Sequence, residues 1–150
     1  MSAIWTPHLT VAAIIERDSR FLLVEENDAG QNVLNQPAGH VEEYESLAEA
    51  VIRETLEETG RRFVPEAIVG LYRWRSPRNQ ATYLRVAFCG QASERDSDIS
   101  LDADIITTHW LSYNELKAQA ARLRSPLVLH CIDDYLAAQR HPLDLVTELS

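Results

Sequence analysis

A chain of 150 residues, 45% hydrophobic and 25% charged, has the composition of a soluble globular protein and the length to bury a substantial core. Its net charge of −9 argues against nonspecific binding to nucleic acid or to an anionic membrane, since both demand a basic surface. The N-terminal MSAIWTPHL lacks a basic-then-apolar signal pattern and no apolar run approaches membrane-spanning length, so a cytoplasmic protein is expected. Cys89 and Cys131 fit no metal or redox spacing and read as buried free thiols of a reducing compartment.

His8 to Ile15, HLTVAAII, is β-branched and apolar and predicts a buried strand. Arg17-Asp18-Ser19 turns it, and Arg20 to Glu25 returns as the second arm of a hairpin. Glu26 to Gln31 reads as a polar loop, after which Val33 and Leu34 lead into Asn35-Gln36-Pro37-Ala38-Gly39. There Pro37 breaks any helix and Gly39 lets the backbone come close to a ligand. Ser46 with Glu49 makes a capping box that starts a helix, and Gly60 is its left-handed stop about four turns later. Arg62 to Val64 and Ala67 to Trp74 read as strand segments interrupted at Pro65. A loop over Ser76 to Gln80 precedes an alternating strand from Ala81 to Cys89. Ser93 to Asp104, with five acidic residues, is the longest irregular stretch, and Ile105 to Leu111 is the last strand. Ser112 and Glu115 cap a helix to about Leu123, and Ser125-Pro126 opens another to about Gln139. Strands before and after one inserted helix, then two closing helices, predict a mixed β-sheet flanked by helices in one domain over 1–150.

The chemistry is concentrated between Gly39 and Gly60, GHVEEYESLAEAVIRETLEETG, where seven glutamates surround one arginine, Arg53. At about 100° per residue, Glu54, Glu57 and Glu58 share one arc of the helix, while Ala48, Ile52, Thr55, Leu56 and Thr59 supply an expected core face beside it. Three carboxylates on one face repel one another, and only Arg53 is near enough to neutralise them. A divalent cation supplies the missing charge, and oxygen-only ligands select a hard ion, Mg²⁺ or Mn²⁺.

Gly39, Glu45, Arg53-Glu54, Glu57-Glu58 and Gly60, at these offsets, resemble the signature of the Nudix hydrolases, here spanning 39–61. Thr55 and Arg61 depart from two hydrophobic slots of that pattern and touch none of its chemistry. The resemblance implies an α/β/α sandwich and Mg²⁺-dependent hydrolysis of a nucleoside diphosphate linked to another group, with Mn²⁺ able to substitute. Carried over by position, it implies Glu57 and Glu58 as metal ligands, Glu54 helping and the Gly39 carbonyl completing the set. Arg53 then orients the carboxylates, and Glu45 has a structural part. The general base is a box glutamate, Glu57 doing double duty, or a carboxylate of a later loop, Asp102 or Asp104.

Positive charge for phosphate binding is available at Arg85, mid-strand between Leu84 and Val86, which acts only if it points into a cleft. Trp74 and Tyr83 flank the same region and either stack on a base or pack in the core. Outside the box the chain resembles the NudJ-type phosphatase subgroup, through Asn35-Gln36-Pro37-Ala38-Gly39-His40, Trp74 with Leu84-Arg85, Arg124 to Val128, and Gln139 to Leu143. That resemblance implies phosphate release from nucleoside di- and triphosphates, hydroxymethylpyrimidine pyrophosphate and thiamine pyrophosphate. Gln36, Arg85, Trp74 and Tyr83 are the candidate substrate-binding residues, and a monomer or homodimer acting on a small phosphorylated molecule is expected. Two other readings stay open: an ADP-ribose pyrophosphatase, suggested by the position of Pro77, and a non-catalytic ligand sensor, which usually lacks a box glutamate.

Overall fold

The computed structural model describes residues 3–150. The strands are β1 (His8–Ile14), β2 (Glu16–Arg17), β3 (Arg20–Asp28), β4 (Gln31–Asn35), β5 (Ala38–His40), β6 (Phe63–Arg75), β7 (Thr82–Ala92) and β8 (Ile105–Leu111). The helices are α1 (Leu47–Thr59), α2 (Tyr113–Ala118) and α3 (Leu127–Leu136), with single 3₁₀ turns at Ala120–Arg122 and Leu143–Leu145.

One sheet has the order β5-β1-β7-β6, with β1 and β7 parallel in register His8↔Tyr83 through Ile14↔Cys89. The other pairs β3 with β2, β4 and β8, all antiparallel. Val11 to Ile15 is almost wholly excluded from solvent, as a strand covered on both faces must be. On one side lie Ala50 and Val51 of α1, packed with Val11, Ala13, Val86 and Phe88. On the other, Val128, Cys131 and Ile132 of α3 pack with Ile14, Leu34, Val69 and Ala87. This is the expected mixed-sheet α/β/α arrangement.

Four local expectations are corrected. β1 and β3 are not two arms of a hairpin: after Ile15 the chain leaves the first sheet, and the tight hairpin joins β2 to β3 through Asp18 and Ser19, both at positive φ (52° and 61°). Glu26 to Gln31 is not a loop, because β3 runs to Asp28 and turns through Ala29 and Gly30, again both left-handed, into β4. Pro65 does not split β6, since the ladder with β7 shifts register there and so tolerates the missing N–H. The last two helices are shorter than expected, α2 giving way to a 3₁₀ turn at Ala120 and α3 stopping before a left-handed Ala138 (φ 64°).

The buried face of α1 also differs. It comprises Ala50, Val51, Thr55, Glu58 and Thr59, while Ile52 is 37% exposed. The two threonines satisfy their hydroxyls by donating to the carbonyls of Val51 and Thr55, both at 2.7 Å, which lets polar residues occupy the core side. The glutamate arc therefore overlaps the buried face.

Candidate active site

The ends of α1 are built as its sequence requires. Glu49 donates its N–H to Ser46 Oγ (3.0 Å) and receives the Ser46 N–H on its own carboxylate (3.1 Å), while Gly60 (φ 70°) donates to the Leu56 carbonyl. Between these ends, carboxylate oxygens of Glu54, Glu57 and Asp102 all lie within 4.8 Å of one another. Asp102 arrives from the irregular stretch before β8, and its N–H donates to the Glu57 carbonyl (3.0 Å). Asp104 does not join: it is exposed, and its carbonyl accepts the Asn27 N–H (2.9 Å).

Among the described residues, Arg53 is the only cation bonded to the cluster. Its Nε and Nη2 donate to the two oxygens of Glu45 (2.9 and 2.6 Å), and Nη1 donates to Glu54 (2.9 Å) and Glu57 (3.2 Å). Nη2 also reaches the His40 carbonyl (3.1 Å). Those hydrogen bonds hold the Glu45 carboxyl below its ordinary range and the guanidinium above its own. Such a fork sets the carboxylates relative to each other and to the chain before the helix.

Glu58 is buried at 7% exposure and accepts the Ala38 N–H (2.9 Å). Burial pushes its carboxyl up to about 9, with Glu26, Glu54 and Asp102 adding repulsion. Burial raises Glu54 too, against the pull of Arg53. Gly39 fits beneath them: a Cβ there would collide with the Glu54 carboxylate. Crowded, oxygen-only donors with one compensating arginine fit a hard divalent cation.

Across β5 lies a cavity of about 310 Å³, bounded by Ala38, Gly39 and His40. Trp74 and Tyr83 form an aromatic wall with ring centroids 6.0 Å apart. Arg85 lines it at 5% exposure, donating to Gln36 Oε1 (2.9 Å) and Asn35 Oδ1 (3.2 Å). Gln36 does not line the cavity. It is 1% exposed and uses both amide ends, donating to the Val128 carbonyl (2.8 Å) and accepting from Arg85, so it reaches a ligand only through that arginine. Sequence reasoning missed Asn35, Arg78 and Arg124 as lining residues. Arg78 pairs with Asp28 and Arg124 with Glu26, each at 2.6 Å. Both pairs join residues far apart in the chain, and no local spacing announces them.

Residues 6–131 match the NUDIX domain family. Phosphatase NudJ of Escherichia coli K12 is 38% identical over 144 residues, 96% of this chain and 93% of that protein. A NUDIX hydrolase from Nitrosomonas europaea is 48% identical, covers 96% of this chain and 98% of its own, and superposes with a TM-score of 0.94. The NUDIX domain of Shewanella oneidensis NrtR, complexed with ADP ribose, shares the fold at 20% identity, with 90% of each chain covered and a TM-score of 0.71. Glutamate helix, fold and relatives agree, and the chain belongs to the Nudix family of hydrolases.

Proposed function

We propose that the enzyme uses Mg²⁺, or Mn²⁺ in its place, to cut the terminal phosphoanhydride of nucleoside di- and triphosphates and of small pyrophosphates, hydroxymethylpyrimidine and thiamine pyrophosphates included, releasing inorganic phosphate. The observation that carries this reading is the cavity beside Gly39. At about 310 Å³ it lies at the small end of ligand sites, which run roughly 300–1,000 Å³, and so suits one ring rather than the far half of a dinucleotide. Its aromatic wall of Trp74 and Tyr83 suits a planar group, and the NudJ phosphatases are similar along nearly the whole chain.

Glu54, Glu57 and Asp102 would hold the cation, with Glu58 and the Gly39 carbonyl contributing. A divalent ion there neutralises phosphate oxygens and acidifies water. Arg53 keeps Glu54 and Glu57 in place through the bonds already described. One Glu57 oxygen is engaged by Arg53, whereas the Asp102 carboxylate has no hydrogen bond to any described residue, which favours Asp102 as the acceptor of the water proton. A sensor role has less support, because each box glutamate is present.

The test compares hydroxymethylpyrimidine pyrophosphate, GDP and ADP-ribose with Mg²⁺, following phosphate release and separating products by chromatography. Inorganic phosphate from the first two is expected. The highest kcat/KM for ADP-ribose, yielding AMP and ribose phosphate, overturns the reading in favour of a nucleotide-sugar pyrophosphatase. No Mg²⁺-dependent turnover of any compound would make the chain a ligand-binding module.

A further inference from the structure

Arg85 is a buried cation with no carboxylate partner among the described residues. Its Nη groups are answered by the amide oxygens of Asn35 and Gln36 and by the weakly accepting Cys131 Sγ (3.9 Å), none of them charged oxygen, and its Nε is buried without a partner among the described residues. Arginine donates and never accepts, so Asn35 must turn its oxygen toward Arg85. The Asn35 NH₂ is then free; it bonds to no described residue and belongs to a side chain lining the cavity. Gln36 is fixed likewise, because its NH₂ is committed to the Val128 carbonyl.

Several acceptors lining the same cavity are already engaged: Arg78 holds one Asp28 oxygen (2.6 Å), the Ala81 N–H occupies Asn79 Oδ1 (2.9 Å), and the Leu127 N–H occupies Ser125 Oγ (3.2 Å). At Asn35 and Arg85 the floor therefore presents N–H groups and wants acceptors. A ligand amine placed there meets donors and goes unpaired, which costs more than the missing bond alone. A phosphate is the weaker candidate for this floor, since the aromatic wall beside it suits a ring and none of the clustered carboxylates of Glu54, Glu57 and Asp102 lines the cavity.

We propose that Asn35 and Arg85 make the enzyme selective for rings with an acceptor-only edge. This rests on the cavity holding the ring of the substrate, as under Proposed function. Guanine and hypoxanthine qualify through O6 and N7, whereas adenine offers N7 beside an amine. The same contrast favours UDP over CDP and ranks hydroxymethylpyrimidine pyrophosphate, with its exocyclic amine, below GDP.

Nucleoside monophosphates separate binding from chemistry, because they contain no anhydride. Titration calorimetry with Mg²⁺ should show IMP and GMP bound at least about tenfold more tightly than AMP, the size of one good edge contact. Asn35→Asp keeps an acceptor for Arg85 and turns the free group into a second acceptor, so the contrast should shrink below about threefold or invert. AMP bound as tightly as IMP, binding of neither, or an unchanged contrast in Asn35→Asp overturns the assignment. Phosphate release from IDP and ADP is measured in parallel. Selective IMP binding without release from IDP sinks the proposed reaction and leaves the selectivity standing; release at equal kcat/KM, with AMP and IMP bound equally, does the reverse.

Discussion

The Glu54 carboxylate lies directly against the Cα of Gly39, leaving no room for a Cβ. β5 and α1 meet at that contact, so the strand that borders the cavity also braces the carboxylate cluster. Gly39→Ala must push the Glu54 carboxylate off its present position beside Glu57 and Asp102. Since displacement of about 1 Å at a reacting centre can cost 10²-fold, kcat for phosphate release should fall by about that factor while the circular dichroism spectrum is retained. Turnover within threefold of wild type would show that Glu54 is not needed where it stands.

Glu57→Gln should lower kcat by two or more orders of magnitude, roughly 3 kcal/mol in the barrier, without unfolding the chain. Removing one of several mutually repelling carboxylates relieves a clash, so thermal stability without metal should hold or rise. The loop aspartates should behave differently from each other: Asp102→Asn loses at least tenfold, and Asp104→Asn stays within threefold. Equal losses would mean that membership of the carboxylate cluster is not what matters.

Glu58 gives a pH signature. Its carboxyl stays protonated up to about 9 in the metal-free fold, but ionises near 4.5 when unfolded. Between those values the unfolded chain binds fewer protons, so this group lowers stability progressively as pH rises from about 4.5 towards 9. Glu58→Gln, measured by thermal unfolding in chelator, should raise Tm at pH 8 by at least about 2 °C, equivalent to roughly 1 kcal/mol at this size. The gain should disappear near pH 4. A gain that is the same at both pH values would remove ionisation as its cause.

Arg85→Lys tests the cavity floor. Lysine offers a compact ammonium that cannot span the oxygens of Asn35 and Gln36 as the guanidinium does. We expect kcat/KM for GDP to drop at least tenfold, about 1.4 kcal/mol, chiefly through KM if the contact is to the ring. Wild-type kcat/KM in the lysine variant would make Arg85 a structural residue only.

Local chemistry in the chain determined the helix that carries the glutamates: Ser46 and Glu49 start it, Gly60 ends it, and the Glu54–Glu57–Glu58 spacing puts their carboxylates on one arc. The same short range made Arg53 legible as the partner of Glu54 and Glu57, one turn from the latter. What lay beyond a turn or two was decided only in three dimensions. Which loop aspartate meets the glutamates depends on a main-chain bond from Asp102 to Glu57, and nothing near either residue announces it. Gln36 and Asn35 are neighbours with similar side chains that both accept from Arg85, yet only Asn35 lines the cavity, while Gln36, just past the end of β4, is tied back to the Val128 carbonyl. Arg85 meets them from 49 and 50 residues away, so neither its burial nor its lack of a counter-ion can be read from Leu84 and Val86 beside it. Side-chain periods and caps act over a few residues, whereas the polarity of a cavity floor is set by which strands the sheet brings side by side.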